Sequence, residues 1–209
     1  MTGSIGMPEH ALSGEDVRGV TATHGTAKAR LERAALSLFA ARGVDGVSTR
    51  EIAARAGLSE GSIYKHFHSK DALAESLFEA IHARLFALVK AAIAEHRGFA
   101  EAVGAVVKAY CQAADADRAL FEYHLTHMFR FGQVDRPGRP DPTAEIARRI
   151  EAAMKAGECP PGDAEIKAAA ALGVVLQPAA HRMAGRFAIA LEDRAEALAR
   201  AALAALREA

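Results

Sequence analysis

The sequence has no run of eighteen or more apolar residues, which excludes a membrane-spanning helix. Its cysteines number only two, Cys111 and Cys159. They lie far apart and at no metal-ligand spacing, so free thiols in a reducing cytoplasm are expected and a disulfide is not. Residues 1–25 lack the cationic start and apolar run of a secretory signal. With no periodicity of their own, they are expected to form a disordered tail. Long β-branched runs are missing, which argues against sheet. Also missing are a nucleophile elbow, a phosphate-binding glycine loop and any paired-ligand motif, so an enzyme is not expected. No cofactor and no metal are called for.

Net charge is absent as well: 26 basic residues stand against 26 acidic ones. That balance hides an asymmetry. Residues 26–72 carry eight Lys/Arg against five Asp/Glu, and His66 and His68 can add to the excess, whereas residues 73–209 carry 17 against 18. A small basic module on a neutral body is the charge pattern of a nucleic-acid binder.

What is present is helix-forming sequence nearly throughout. Alanine and leucine abound, and glycine and proline cluster at breaks. A first helix over about 26–42 has an apolar face of Leu31, Ala35, Leu38 and Phe39, and Gly43 ends it. "STREIAARAG" follows. Ser48 and Glu51 form a capping-box pattern, Ile52, Ala53 and Ala56 face inward, and Gly57 stops the helix after two turns. Ser59 stands ready to cap a short third helix over about 60–66, and Ser69 a fourth. Two short helices across a tight glycine turn make a helix-turn-helix. Ile63 and Phe67 would anchor its second helix. Glu60, Gly61, Ser62, Tyr64 and Lys65 would face a major groove about 12 Å wide. Gly61 permits close approach, and Tyr64, Lys65, His66 and Lys70 can reach phosphates. Arg30 and Arg33 are candidates for a DNA contact or for an ordinary solvated face.

Residues 28–73, "KARLERAALSLFAARGVDGVSTREIAARAGLSEGSIYKHFHSKDAL", closely resemble the DNA-binding domain of the tetracycline-repressor-like (TetR) transcriptional regulators. The resemblance rests on Phe39 followed by Gly43, on Thr49 to Ala53, on Ala56 to Ser59, and on Tyr64 to Phe67 with Lys70. It implies that Thr49 and Arg50 start the positioning helix and touch DNA. It also implies that Ser59, Ser62, Tyr64, Lys65, His66 and Lys70 face bases or phosphates. Further implications are a homodimer, a helical body and a small-molecule pocket. The expected fold is therefore all-α, with about nine helices in total: a three-helix helix-turn-helix domain over 26–72 and a ligand-binding and dimerisation domain over 73–209.

In the body, helices are expected over about 70–97, 99–114, 117–131, 143–156, from 163, and over 192–206. Loops at "FGQVDRPGRPDP" and "GECPPGD" separate them, and Pro178 should kink the eighth helix. Leu73, Leu77, Ile81, Leu85, Leu88 and Ala92 read as core. The sixth helix, "RALFEYHLTHMFRF", is apolar almost all round and mixes aromatics, Met and His. A pocket lined by some of His82, Phe86, Tyr110, Phe121, His124, His127 and Met128 is expected. His124 and His127 alone make at most half a metal site. For the dimer, the small and apolar surfaces of the last two helices are the candidates, through Gly173, Val174, Leu176, Leu198, Ala202 and Leu206. The expected function is a ligand-responsive dimeric repressor. It would sit on a palindromic operator in the cytoplasm, associated with the nucleoid when DNA-bound, and leave when a small hydrophobic effector binds. The alternative is a DNA-binding or partner-binding regulator with no small-molecule effector.

Overall fold

In the computed structural model, which describes residues 25–132 and 138–208, most helices begin where a side chain accepts the N–H bonds that a first turn leaves open. Apart from Gly25, the expected N-terminal tail lies outside the described residues, as does part of the loop before the seventh helix. The Thr26 hydroxyl accepts from Ala29 N and opens α1 (Ala27–Arg42). Gly43 ends it with φ 71°, where its N–H reaches the Phe39 carbonyl. Ser48 and Glu51 cap each other's backbone at the start of α2 (Thr49–Ala56), the full capping box. Gly57, left-handed at φ 64°, turns the chain into α3.

α3 (Gly61–Tyr64) is shorter than expected and starts without a side-chain cap. The Ser59 hydroxyl pairs with the Ser62 hydroxyl at 3.0 Å instead. Ser69 caps α4 (Lys70–Ala94), which at 25 residues is roughly 38 Å long and ends three residues short of Arg97. α5 (Phe99–Ala116) follows Gly98. Asp117 caps α6 (Arg118–Phe131), Asp141 caps α7 (Pro142–Lys155) and Asp163 caps α8 (Ala164–Met183). α8 passes through Pro178 without ending. A 3-10 turn at Glu192–Arg194 then leads into α9 (Ala195–Glu208).

All nine helices among the described residues share one apolar core. α1, α2 and α3 pack around Leu31, Phe39, Ile52, Ile63 and Phe67, all buried. α4 leaves this unit and runs against α5, α6 and α7, burying Leu73, Leu77, Phe78, Ile81 and Leu85; Leu88 is only half-buried. α8 packs between α7 and α9, and α9 also lies along α5.

That packing corrects one expectation. Ala202 (0% exposed) and Leu206 (2%) point into the body of their own chain, so they are core and not a free dimer surface. α8 is held on α9 by Lys167, whose fully buried ammonium donates to the Leu206 carbonyl at 2.7 Å. A cation at the carbonyl end of a helix is well placed for the helix dipole. Cys111 and Cys159 are both free and buried, and burial pushes the Cys111 thiol up to about 11.

Candidate nucleic-acid interface and ligand cavity

Ile63 and Phe67 hold α3 on α1, and the residues between and beside them are left outside. Tyr64 (56% exposed), Lys65, His66, Ser59, Glu60 and Gly61 are exposed, and Ser62 is half-buried. Arg50 is exposed as the second residue of α2. A tyrosine at the end of a surface helix, with a lysine and a histidine directly after it, offers hydrogen-bond donors to a phosphate backbone. Two of the expected contact residues have structural partners. The Thr49 hydroxyl donates to the Glu60 carboxylate at 2.6 Å and ties α2 to α3. The Lys70 ammonium donates to the Val47 carbonyl at 2.8 Å, which closes the loop before α2. Arg30 donates to the Gly57 carbonyl and Arg55 to the Ser37 hydroxyl, so both brace the unit from behind. Glu51 accepts from the Ser48 backbone, the Ser48 hydroxyl and Arg42, and these bonds, in that order, hold its carboxyl down at about 2.

In the body, a cavity of about 500 Å³ opens between α4, α6, α7 and α8. Of the expected pocket residues it is lined by His82, Tyr110, His124 and Met128. The other three do not line it. Phe121 is packed edge-on against Tyr110, His127 stacks on Tyr123 and bonds to its carbonyl, and Phe86 is half-buried further along α4. The cavity also takes in Gly173 and Leu176, which the sequence suggested for the dimer face.

His124 pairs with His82, Nε2 to Nδ1 at 3.1 Å, and not with His127. Phe78 stacks on both rings, at 4.9 and 5.5 Å. Burial, with His82 and Arg139 nearby, pushes His124 down to about 3; burial likewise lowers His82 and His127. No group of three or more metal-ligating side chains occurs among the described residues.

Sequence reasoning missed Arg139, Asp141 and Leu172, which also line the cavity. The first two sit in a loop with no periodicity to read. It also missed a link between the two halves. Arg130, at the end of α6, pairs with Asp71 at 2.9 Å and with Asp45 at 3.4 Å. On the same helix, Tyr123 stacks on Phe39 at 6.1 Å and donates to the Ala74 carbonyl at 2.8 Å. α6 thus touches the cavity with His124 and Met128, and the helix-turn-helix unit with Tyr123 and Arg130.

Residues 32–77 match the family model for bacterial regulatory proteins, tetR family. The chain is similar to the tetracycline repressor protein class A from transposon 1721 of Escherichia coli, 47% identical over 49 residues, 23% of each chain. It is also similar to the HTH-type transcriptional repressor KstR2 of Rhodococcus jostii (strain RHA1), 29% identical over 97 residues, 45% of this chain and 48% of that one. These curated matches span a quarter to a half of the relatives' length. The fold is that of the ketosteroid transcriptional regulator KstR2 of Mycobacterium tuberculosis, with TM-score 0.73 and 18% identity, covering 90% of this chain and 98% of that one. Among the described residues, no helix is long and apolar enough to cross a membrane.

Proposed function

From the premise that this chain belongs to the tetR family of bacterial regulatory proteins, we propose that it is a dimeric transcriptional repressor whose grip on a near-palindromic operator is released by a small molecule in the 500 Å³ cavity. The observation that carries this reading is that α6 touches both the cavity and the helix-turn-helix unit. Arg50, Tyr64, Lys65 and His66 contact DNA, with Ser59, Ser62 and Gly61 close to the groove. Thr49 and Lys70 act mainly by fixing the shape of the unit. One short α3 reads too few base pairs to select a site, so two copies are needed, in successive major grooves about 34 Å apart.

A ligand among His82, His124 and Met128 bears on α6. Displacement of α6 shifts Tyr123 on Phe39 and Arg130 on Asp45 and Asp71, and so changes the spacing of the two α3 helices. The effect is set by the ligand's difference in affinity between the two arrangements.

The test starts from sites selected out of random DNA by the full-length protein. Two half-sites bound by a dimer are expected, with release by a member of a small-molecule library. Met128→Trp, which fills the cavity, should bind the operator normally and ignore the ligand. Arg130→Ala should bind the ligand normally and release the operator poorly. A single unpaired half-site, or an operator complex that no library member disturbs, overturns the reading.

A further inference from the structure

The residue with chemistry left over is Tyr110 of α5. It is 6% exposed, and its ring lies edge-on to Phe121. Among the described residues its hydroxyl makes no hydrogen bond, and it is not one of the fully enclosed polar atoms left without a partner, so it opens onto the space beside it. Its position explains why such a group would be kept. Tyr110 and Leu172 line the 500 Å³ cavity on one side and a crevice of about 40 Å³ on the other. The crevice walls include Val103, Val106, Ile146, Ile150 and Val175. One water needs roughly 10–15 Å³, so the crevice has room for a short alkyl branch.

Two of the three charged groups around the wide cavity, Arg139 and Asp141, are committed. The Arg139 guanidinium forms an ion pair with Glu79 at 3.1 Å, though not an aligned hydrogen bond from Nε; its Nη1 donates to the Phe131 carbonyl, and it lies over the Phe78 ring. An Asp141 oxygen accepts from the Thr143 and Ala144 backbones at the start of α7. Glu165 is exposed on the first turn of α8. An anionic ligand would meet one cation already paired and two carboxylates. A cation would meet Arg139, the Asp141 carboxylate engaged with the backbone, and Glu165 only at the exposed rim. The paired histidines are held neutral by burial, in keeping with an uncharged site.

Building on the sensor reading above, we propose that the effector is an uncharged, mainly apolar molecule whose oxygen acceptor, a carbonyl or hydroxyl, takes a hydrogen bond from Tyr110 where the cavity meets the crevice. The Tyr110 hydroxyl donates because a phenol buried in this way resists ionisation, and Asp141 nearby adds to that resistance. The ligand body fills the wide cavity, within the 300–1,000 Å³ span of small-molecule sites.

The experiment is calorimetric titration of this chain, whose 209 residues include no tryptophan to report binding by fluorescence. The probes are decan-2-one, decanoate and decylammonium, against wild type and Tyr110→Phe. The ketone should bind best, and Tyr110→Phe should weaken it by about five- to tenfold, the value of one hydrogen bond. Without ligand, Tyr110→Phe should melt at the wild-type temperature or above it, because the lost hydroxyl bonds to nothing. A purely structural tyrosine would instead give a lower melting temperature and an unchanged ketone affinity, which overturns the proposal. Tighter binding of decanoate or decylammonium than of the ketone also overturns it and leaves the sensor reading standing. If none of the three binds, the proposal falls, while the sensor reading falls only if the operator complex also ignores the wider library.

Discussion

At the scale of single residues, similar side chains have been given different work. Lys65 is exposed just after α3, whereas Lys70 is half-buried with its ammonium on the Val47 carbonyl. Lys65→Ala should weaken binding to all DNA sequences alike and lower the salt slope of log K by about 1, as loss of one phosphate contact does. Lys70→Ala should instead lower the melting temperature, with a smaller change in slope. Equal slopes for both variants would mean that Lys65 touches no phosphate. The histidines differ in the same way: His66 is exposed and His124 is buried on Phe78. His124 is depressed in the fold to about 3 from an ordinary value of 6.5. Below 6.5 the unfolded chain takes up a proton that the fold refuses, so stability falls as pH drops through that window towards 3. His124→Phe should flatten the fall in melting temperature between pH 6.5 and 4; an unchanged slope would mean that His124 is not held neutral.

At the scale of elements, helix starts carry much of the organisation. α2 has only eight residues, too few to persist without its cap and its packing. Ser48→Ala should cost about 1 kcal/mol, measured by denaturant unfolding, because it removes the N-cap acceptor and one partner of Glu51. The Glu51 carboxyl also leaves a mark in acid. Its folded value of about 2 lies below its ordinary 4.5, so its contribution is present above 4.5 and disappears as pH falls towards 2. Glu51→Gln should remove that part of the acid transition. A melting curve identical to wild type across this range would place the start of α2 elsewhere. α6 shows the limit of reading an element alone. Its composition suggested burial on nearly every side, yet Phe129 is 93% exposed, and the helix divides its faces between the cavity and the helix-turn-helix unit.

At the scale of the molecule, the proposed dimer needs a face that pairs two copies. Ala202 is core, so Ala202→Glu should unfold the monomer and says nothing about a dimer. The candidate stripe on α8, spaced one turn apart, is Ile166 (61% exposed) with the half-buried Ala170 and Val174, the last of which also packs against the core. Leu198 on α9 is half-buried, as a residue at the edge of such a face would be. Val174→Glu should place an unpaired charge in the dimer seam at a cost of roughly 3–5 kcal/mol. Sedimentation should then show a helical monomer with operator affinity largely lost. A dimer with full operator binding would move the interface away from this stripe.

The sequence by itself determined the all-helical class, the helix-turn-helix and the caps of α2 and α4, though not the expected Ser59 cap of α3, because these depend on contacts within a few residues: Ser48 to Glu51, Ser69 to Ala72, Gly57 at positive φ. It also separated anchors from surface in and after α3, since Ile63 and Phe67 are buried while Tyr64, Lys65 and His66 between them are exposed. The tertiary structure alone decided which apolar face is core and which is outward. Ala202 and Val174 look alike in sequence, and only the packing of α9 on α5 and α8 buries the first. It alone decided the cavity as well. His82 and His124 are 42 residues apart, Tyr110 comes from a third helix, and Arg139 and Asp141 come from a loop. Such a site is a product of long-range packing, which no local periodicity encodes.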